Sequence, residues 1–227
     1  VVDLTHALTP QEPIWPGDPP VEMMAWASIE RHGYALRRVC LGEHSGTHLG
    51  VAAHLSAQGR SVEGLPADLL IRPASVMDVR AAVACSADAT LSVEDIHEWE
   101  ARYGRTPAGA VVLLCTGWDQ RWDDPMAYLN CDGAGRMHFP GYSAGAVAFL
   151  VEERQAAGLG IDSAGIDPGW DDGLAANRTL LQGDRFHLEN LTHLEALPAT
   201  GAVLFIGALP IAGAGGAPAR VLAWLPR

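Results

Sequence analysis

Three of the chain's nine histidines, His44, His48 and His54, fall within eleven residues of Glu43-His44-Ser45-Gly46-Thr47-His48-Leu49-Gly50-Val51-Ala52-Ala53-His54. Clustered imidazoles hold metal ions or move protons near neutral pH. His44 and His48 are four apart, which puts both rings on one face of a helical turn, while His54 falls on another side of any continuous helix. Gly46 and Gly50 interrupt the run, so the spacing predicts a turn or short helix followed by a change of direction. Such a shape gathers all three rings around one pocket, with Ser45 and Thr47 placed to set the imidazole tautomers through hydrogen bonds. The residue types admit two chemistries, a histidine-rich metal centre or an acid–base histidine pair.

A second polar cluster lies far downstream, at Asn177-Arg178 and at Arg185-Phe186-His187-Leu188-Glu189-Asn190-Leu191-Thr192-His193. The alternation about Phe186 and Leu188 turns Glu189 inward, and a carboxylate entering a core needs a metal, a cation or hydrogen-bond donors. Arg178 and Arg185 offer the plain alternative of a structural ion pair. The same alternation places His187 on the strand face of Glu189 and leaves His193 unplaced. The four cysteines, Cys40, Cys85, Cys115 and Cys131, form no C-x-x-C pair and read as reduced thiols.

These clusters need a frame. Apolar, partly β-branched runs bounded by Gly and Pro predict strands at 35–41, 69–79, 110–116, 158–162, 202–209 and 220–225. Ser92 reads as the cap of a helix to about Tyr103, with Glu94 and Asp95 at its positive end. Ser143 caps a second helix over 144–155, where Val147, Leu150 and Val151 recur at helical spacing. Two stretches read as irregular: 117–142, with Trp118, Trp122, Tyr128 and Phe139, and the Gly-rich 211–218. The latter has no Lys and no G-x-G-x-x-G, so it is no nucleotide loop. The expectation is an α/β fold, β-rich, in a single domain over 1–227.

A net charge of −12 argues against nucleic acid or an anionic membrane as partner. The longest apolar run, 202–208, falls far short of the ~20 residues that cross a bilayer. The opening Val1-Val2-Asp3-Leu4-Thr5-His6 carries no hydrophobic signal core, and a cytoplasmic enzyme acting on a small molecule is expected.

At this point the chain resembles a known family, the cyclase-like metal-dependent hydrolases of the bacterial kynurenine formamidase and isatin hydrolase type. The likeness runs nearly end to end. It is carried in order by Val2–His6, Trp15-Pro16-Gly17-Asp18, His44-Ser45-Gly46-Thr47-His48, Thr116-Gly117-Trp118, Gly160-Ile161-Asp162 through Asp167-Pro168, Leu188-Glu189-Asn190-Leu191 and Gly213–Arg220. The resemblance implies a swivelling β/β/α fold, metal ligands at His44, His48 and Glu189, an acid–base at His54, and substrate-lining aromatics at Trp15 and Trp118. It also implies a homo-oligomer, dimer or tetramer.

The chain departs from the family signature H-x-G-T-H-x-D-x-P-x-H. Gly50 stands at the aspartate, Ala52 at the proline, and Asn177 at a later histidine twelve residues before the glutamate. Glycine ligates nothing and a carboxamide is a poor stand-in for imidazole, so one divalent metal, Zn or Mn, is expected rather than two. Asn177 then becomes a candidate for holding a substrate carbonyl, and His187 and His193 become candidate substitute ligands. The implied reaction is hydrolysis of the C–N bond of an aryl formamide or cyclic amide. Two alternatives remain: a metal-free dehydratase, cyclase or isomerase of a specialised metabolite, using His54, His48 and Glu189, and an inactive ligand-binding homologue.

Overall fold

Val111–Cys115 reads Val-Val-Leu-Leu-Cys and is buried throughout, as a strand covered on both faces must be. It is the central strand of the computed structural model, which describes residues 1–226. In chain order the strands are β1 (Val2–Asp3), β2 (Glu22–Ala27), β3 (Leu36–Cys40), β4 (His48–Val51), β5 (Ile71–Asp78) and β6 (Thr90–Leu91). They continue as β7 (Val111–Cys115), β8 (Gly141–Tyr142), β9 (Gly158–Ile161), β10 (Phe186–Glu189), β11 (Thr200–Ala208) and β12 (Gly216–Trp224). The helices are α1 (Ile29–His32), α2 (Arg80–Cys85), α3 (Val93–Tyr103), α4 (Pro125–Leu129), α5 (Ala144–Glu152) and α6 (Ala175–Leu180).

β7 runs parallel to β5 on one side and β9 on the other. Outward from it the sheet continues through β11 and β12 in one direction and through β10 and β4 in the other. β4 pairs antiparallel with both β10 and β12, so seven strands close into a mixed barrel, and β1 extends β12. Closure removes the free edges that an open sheet would expose.

Alternate residues of the barrel feed two cores. Val111, Leu113 and Cys115 pack inside with Leu49, Val51, Phe186 and Leu188. Val112 and Leu114 face outward with Leu159 and Ile161, under Ile96 and Trp99 of α3 and Val147 and Leu150 of α5. The result is a single α/β domain.

The expected strands and both capped helices are present, with shifts at the ends. Ser92 and Asp95 form a reciprocal capping box, and Ser143 Oγ accepts from Ala146 N–H. Within 117–142 the chain forms a 3₁₀ turn at Trp118–Arg121, then α4 and β8. Two expectations are corrected. His48 does not lie on a helical turn but opens β4, because its backbone is claimed on both sides by β10 and β12; only Ala52–His54 is a 3₁₀ turn. The irregular 211–218 stretch gives up its last residues to β12, which starts at Gly216 to reach β4. Among the described residues no helix is long and apolar enough to cross a membrane.

Candidate active site on the barrel's outer face

The strand register positions the site. Leu49 and Val51 of β4 face the barrel interior, so His48 and Gly50 face out. Across β10, Gly50 pairs with His187 and His48 with Glu189; across β12, Gly50 pairs with Gly216 and His48 with Pro218. One cross-strand row is therefore His187–Gly50–Gly216, with a side chain only at one end. Two imidazoles lie in the space this leaves. A Cβ at position 50 would overlap His187 Nε2, and one at 216 would come within 2.5 Å of His44 Cε1. His44 arrives from the preceding turn, which passes through Gly46 at φ +60°.

The rings converge. His44 lies 4.9 Å from His48 and 4.1 Å from His54 between ring centroids, and His187 lies 5.9 Å from His48. Donor atoms of His44, His48 and His187 all fall within 4.8 Å of one another. His48 Nδ1 donates to the Gly46 carbonyl oxygen at 2.9 Å, which leaves Nε2 as the free ring position. His187 Nδ1 lies 2.5 Å from Asn177 Oδ1, with the same consequence for its Nε2. Both Nε2 atoms are buried without a hydrogen-bond partner.

Orphaned nitrogens of this kind are costly in a protein interior, and a divalent cation is the partner three imidazoles satisfy best. The residues present fit such an ion. Glu189, expected as the third ligand, stands beside this trio rather than within it. Its Oε1 accepts from Ile166 N–H at 2.9 Å, and Oε2 approaches His48 Nε2 to 3.2 Å without hydrogen-bond geometry.

Burial pushes the His44 imidazole down to about 2, aided by the neighbouring His48, His54 and His187. Burial likewise lowers His187 to about 4, although the Glu189 charge opposes it. His54, at the cavity mouth, is lowered mainly by dehydration. Burial works against ionising Glu189, yet His187, His48 and the Ile166 N–H together hold its carboxyl well below the usual range. Burial thus favours uncharged rings at His44, His54 and His187 beside an ionised Glu189.

A cavity of about 260 Å³ opens over these groups, walled by Pro13, Trp15, Leu129, Pro168 and Leu174 among others. Trp15, His44, His48, His54, Asn177 and Glu189 all line it. Trp118 does not: it is buried, its indole N–H donating to the Tyr128 carbonyl oxygen at 2.8 Å, and Tyr128 takes its place in the wall. Asn177 lines the cavity, but its Oδ1 serves His187 and its Nδ2 donates to Asp167 at 2.8 Å.

Neither arginine pairs with Glu189; Arg178 and Arg185 donate to backbone carbonyls of Gly173 and Ala156. His193 points away, its Nδ1 against the Asp3 carbonyl oxygen. Of the aromatics in 117–142 expected to hold a substrate, Tyr128 is the one in the wall, while Asn190 carried no expected role. The Tyr128 hydroxyl donates to Asn190 Oδ1, and Asn190 Nδ2 donates to the Gly46 oxygen that also holds His48. The only signal for that link was Asn190 following the inward glutamate.

Comparison with known proteins agrees with this geometry. The family profile described as "Putative cyclase" matches residues 2–168. An isatin hydrolase of Roseibium aggregatum is 34% identical, over 100% of this chain and 92% of that protein. A kynurenine formamidase of Salinibacter ruber is 26% identical, over 98% of this chain and 96% of that protein. The solved structure of isatin hydrolase A from Labrenzia aggregata, bound to benzyl benzoate, superposes with a TM-score of 0.93 at 33% identity, covering 100% of this chain and 93% of that one. With a profile spanning most of its length and a full-length relative above 30% identity, the chain belongs to the cyclase family, as an amidohydrolase-type enzyme.

Proposed function

We propose that this enzyme hydrolyses the C–N bond of an aryl formamide or cyclic amide at the His44, His48 and His187 centre, with His54 as acid–base. The observation that carries the reading is the pair of buried, partnerless Nε2 atoms of His48 and His187, grouped with His44 so that one donor atom of each lies within 4.8 Å of the others, beside the cavity that His44 and His48 line. A divalent cation held there supplies Lewis-acid chemistry, lowering the pKa of water and polarising a carbonyl. Trp15, standing edge-on to Phe139 at 6.2 Å, and Leu129, Pro168 and Leu174 form a slot for a flat substrate. That slot aims the scissile carbonyl at the imidazole floor. His54, the most open of the four rings, takes a proton from water and returns it to the departing nitrogen. Glu189, pinned by Ile166 N–H, balances the positive charge gathered at the centre.

The named relatives suggest the substrates to try first, isatin and N-formylkynurenine. Turnover of either, lost on chelation and restored by a divalent metal, is the expected result. Turnover that survives chelation moves the reading to metal-free acid–base chemistry, and none with any aryl formamide or lactam overturns it. For assembly, we propose a homo-oligomer through the β2–β3 hairpin. Among the described residues that sheet pairs with no other strand, and the hairpin exposes Met24, Trp26, Tyr34, Leu36 and Val39. Sedimentation of the parent and of Trp26→Glu tests it, with a monomeric parent as the contrary result.

A further inference from the structure

We infer that Asp167 and Asn177 are a positioning pair that fixes His187 as the third imidazole of a divalent-cation site of the zinc class. The inference rests on the cation reading above but not on the reaction. It follows from the direction of a hydrogen-bond chain in which each step leaves one choice. The backbone N–H groups of Ala176 and Asn177 donate to the two Asp167 oxygens at 2.6 and 3.1 Å, so this carboxyl is anchored as an acceptor. The Asn177 side chain must then turn its NH₂ toward Asp167 and its oxygen toward His187. That oxygen accepts, so His187 Nδ1 carries the hydrogen and Nε2 is left with a lone pair. Gly50 supplies the empty volume in which that nitrogen lies, facing His44 and His48.

All three groups are buried, and among the described residues no other buried acceptor chain runs from an imidazole of this cluster to a carboxylate. Orienting partners of this kind set ligand basicity and ring angle. Their product here is a centre of three imidazole donors. Such a donor set favours borderline-soft ions such as Zn²⁺ and Co²⁺, whereas Mg²⁺ and Mn²⁺ prefer oxygen.

The test titrates metal-free protein with Co²⁺, following its visible absorption, and competes it with Zn²⁺ and Mn²⁺. The parent should give the intense band of a low-coordinate, nitrogen-rich site, displaced by Zn²⁺ and not by equal Mn²⁺. Asn177→Leu, which leaves Nδ1 without an acceptor, should weaken Co²⁺ binding by roughly 10–100-fold and alter the band. Asn177→Asp alone would set two carboxylates against one another. The double variant Asn177→Asp with Asp167→Asn, which keeps an acceptor on Nδ1 and a donor–acceptor pair behind it, should hold affinity close to the parent's. Asp167→Asn, which frees Asn177 to turn over, should also weaken binding, and serves if the leucine variant does not fold. Thermal unfolding of each metal-free variant separates loss of fold from loss of aim.

Parent-like Co²⁺ affinity in Asn177→Leu and Asp167→Asn, equal weakness in the double and leucine variants, or displacement by Mn²⁺ overturns the inference. A parent that binds Co²⁺ as described but cleaves no amide leaves this inference standing and removes the hydrolase reading; a hydrolase indifferent to the three substitutions does the reverse.

Discussion

The molecule has a larger hollow than the one over the histidines, and the two differ in what they leave unsatisfied. Between α2, α3 and the end of β5 lies a groove of about 710 Å³ lined by Asp78, Arg80, Glu98, Trp99, Arg102, Cys115 and Glu195. Its polar groups serve structure: Arg80 pairs with Asp78 at 2.6 Å, and the Trp99 indole N–H donates to Val76. Burial pushes the Cys115 thiol well above its usual range, which leaves no ready nucleophile. None of its lining side chains carries a buried nitrogen or oxygen without a partner, whereas His48 of the smaller cavity does, as does the neighbouring His187. Volume measures where solvent fits; frustrated lone pairs mark where a ligand is owed.

The sharpest way to break this comparison is to strip metal from the protein. Removing a cation that stabilises charge by several kcal/mol should lower hydrolysis by roughly 10³-fold or more, read as activity against chelator with zinc add-back. Next, His54→Ala should lower kcat by about 10²–10⁴-fold while bound metal, measured by elemental analysis, stays in place. Loss of metal in that variant would make His54 a ligand instead.

Gly50→Ala drives a methyl into His187 and should cost about 1–3 kcal/mol of stability by denaturant titration, together with metal affinity. On α3, one wall of the groove, Glu100 is held down to about 2, first by hydrogen bonds from Arg154 and against the opposing cost of burial. A depressed carboxyl contributes stability at pH above its free value of 4.5, and that contribution drains away as pH falls from 4.5 toward 2. Thermal unfolding of Arg154→Met should accordingly trail the parent at pH 6 and converge with it at low pH. The smallest effect belongs to the groove itself: Arg80→Ala breaks a half-exposed pair worth about 0–1 kcal/mol and should leave turnover alone.

Much of the site was legible in residue types. His44, His48, His54 and Glu189 meet as their spacing and alternation suggested, and α3 and α5 begin at the serines that cap them. What could not be read was pairing across the barrel. Position 50 is an absence in the linear chain, and only the register with His187 shows that absence to be occupied. Asn177 looked like a lost ligand for the same reason. Its role depends on Asp167, ten residues away, and on a strand that begins nine residues after it. Trp118 was misplaced because composition cannot tell a wall from the layer behind it.

β4 is only four residues long, and it is gripped from both sides by segments from the last fifth of the chain. The amino-terminal histidines therefore have no floor to rest on until the carboxyl-terminal strand arrives. The donor cluster cannot assemble until β10 and β12 have both been made and have docked on β4, so the site matures in one event rather than strand by strand.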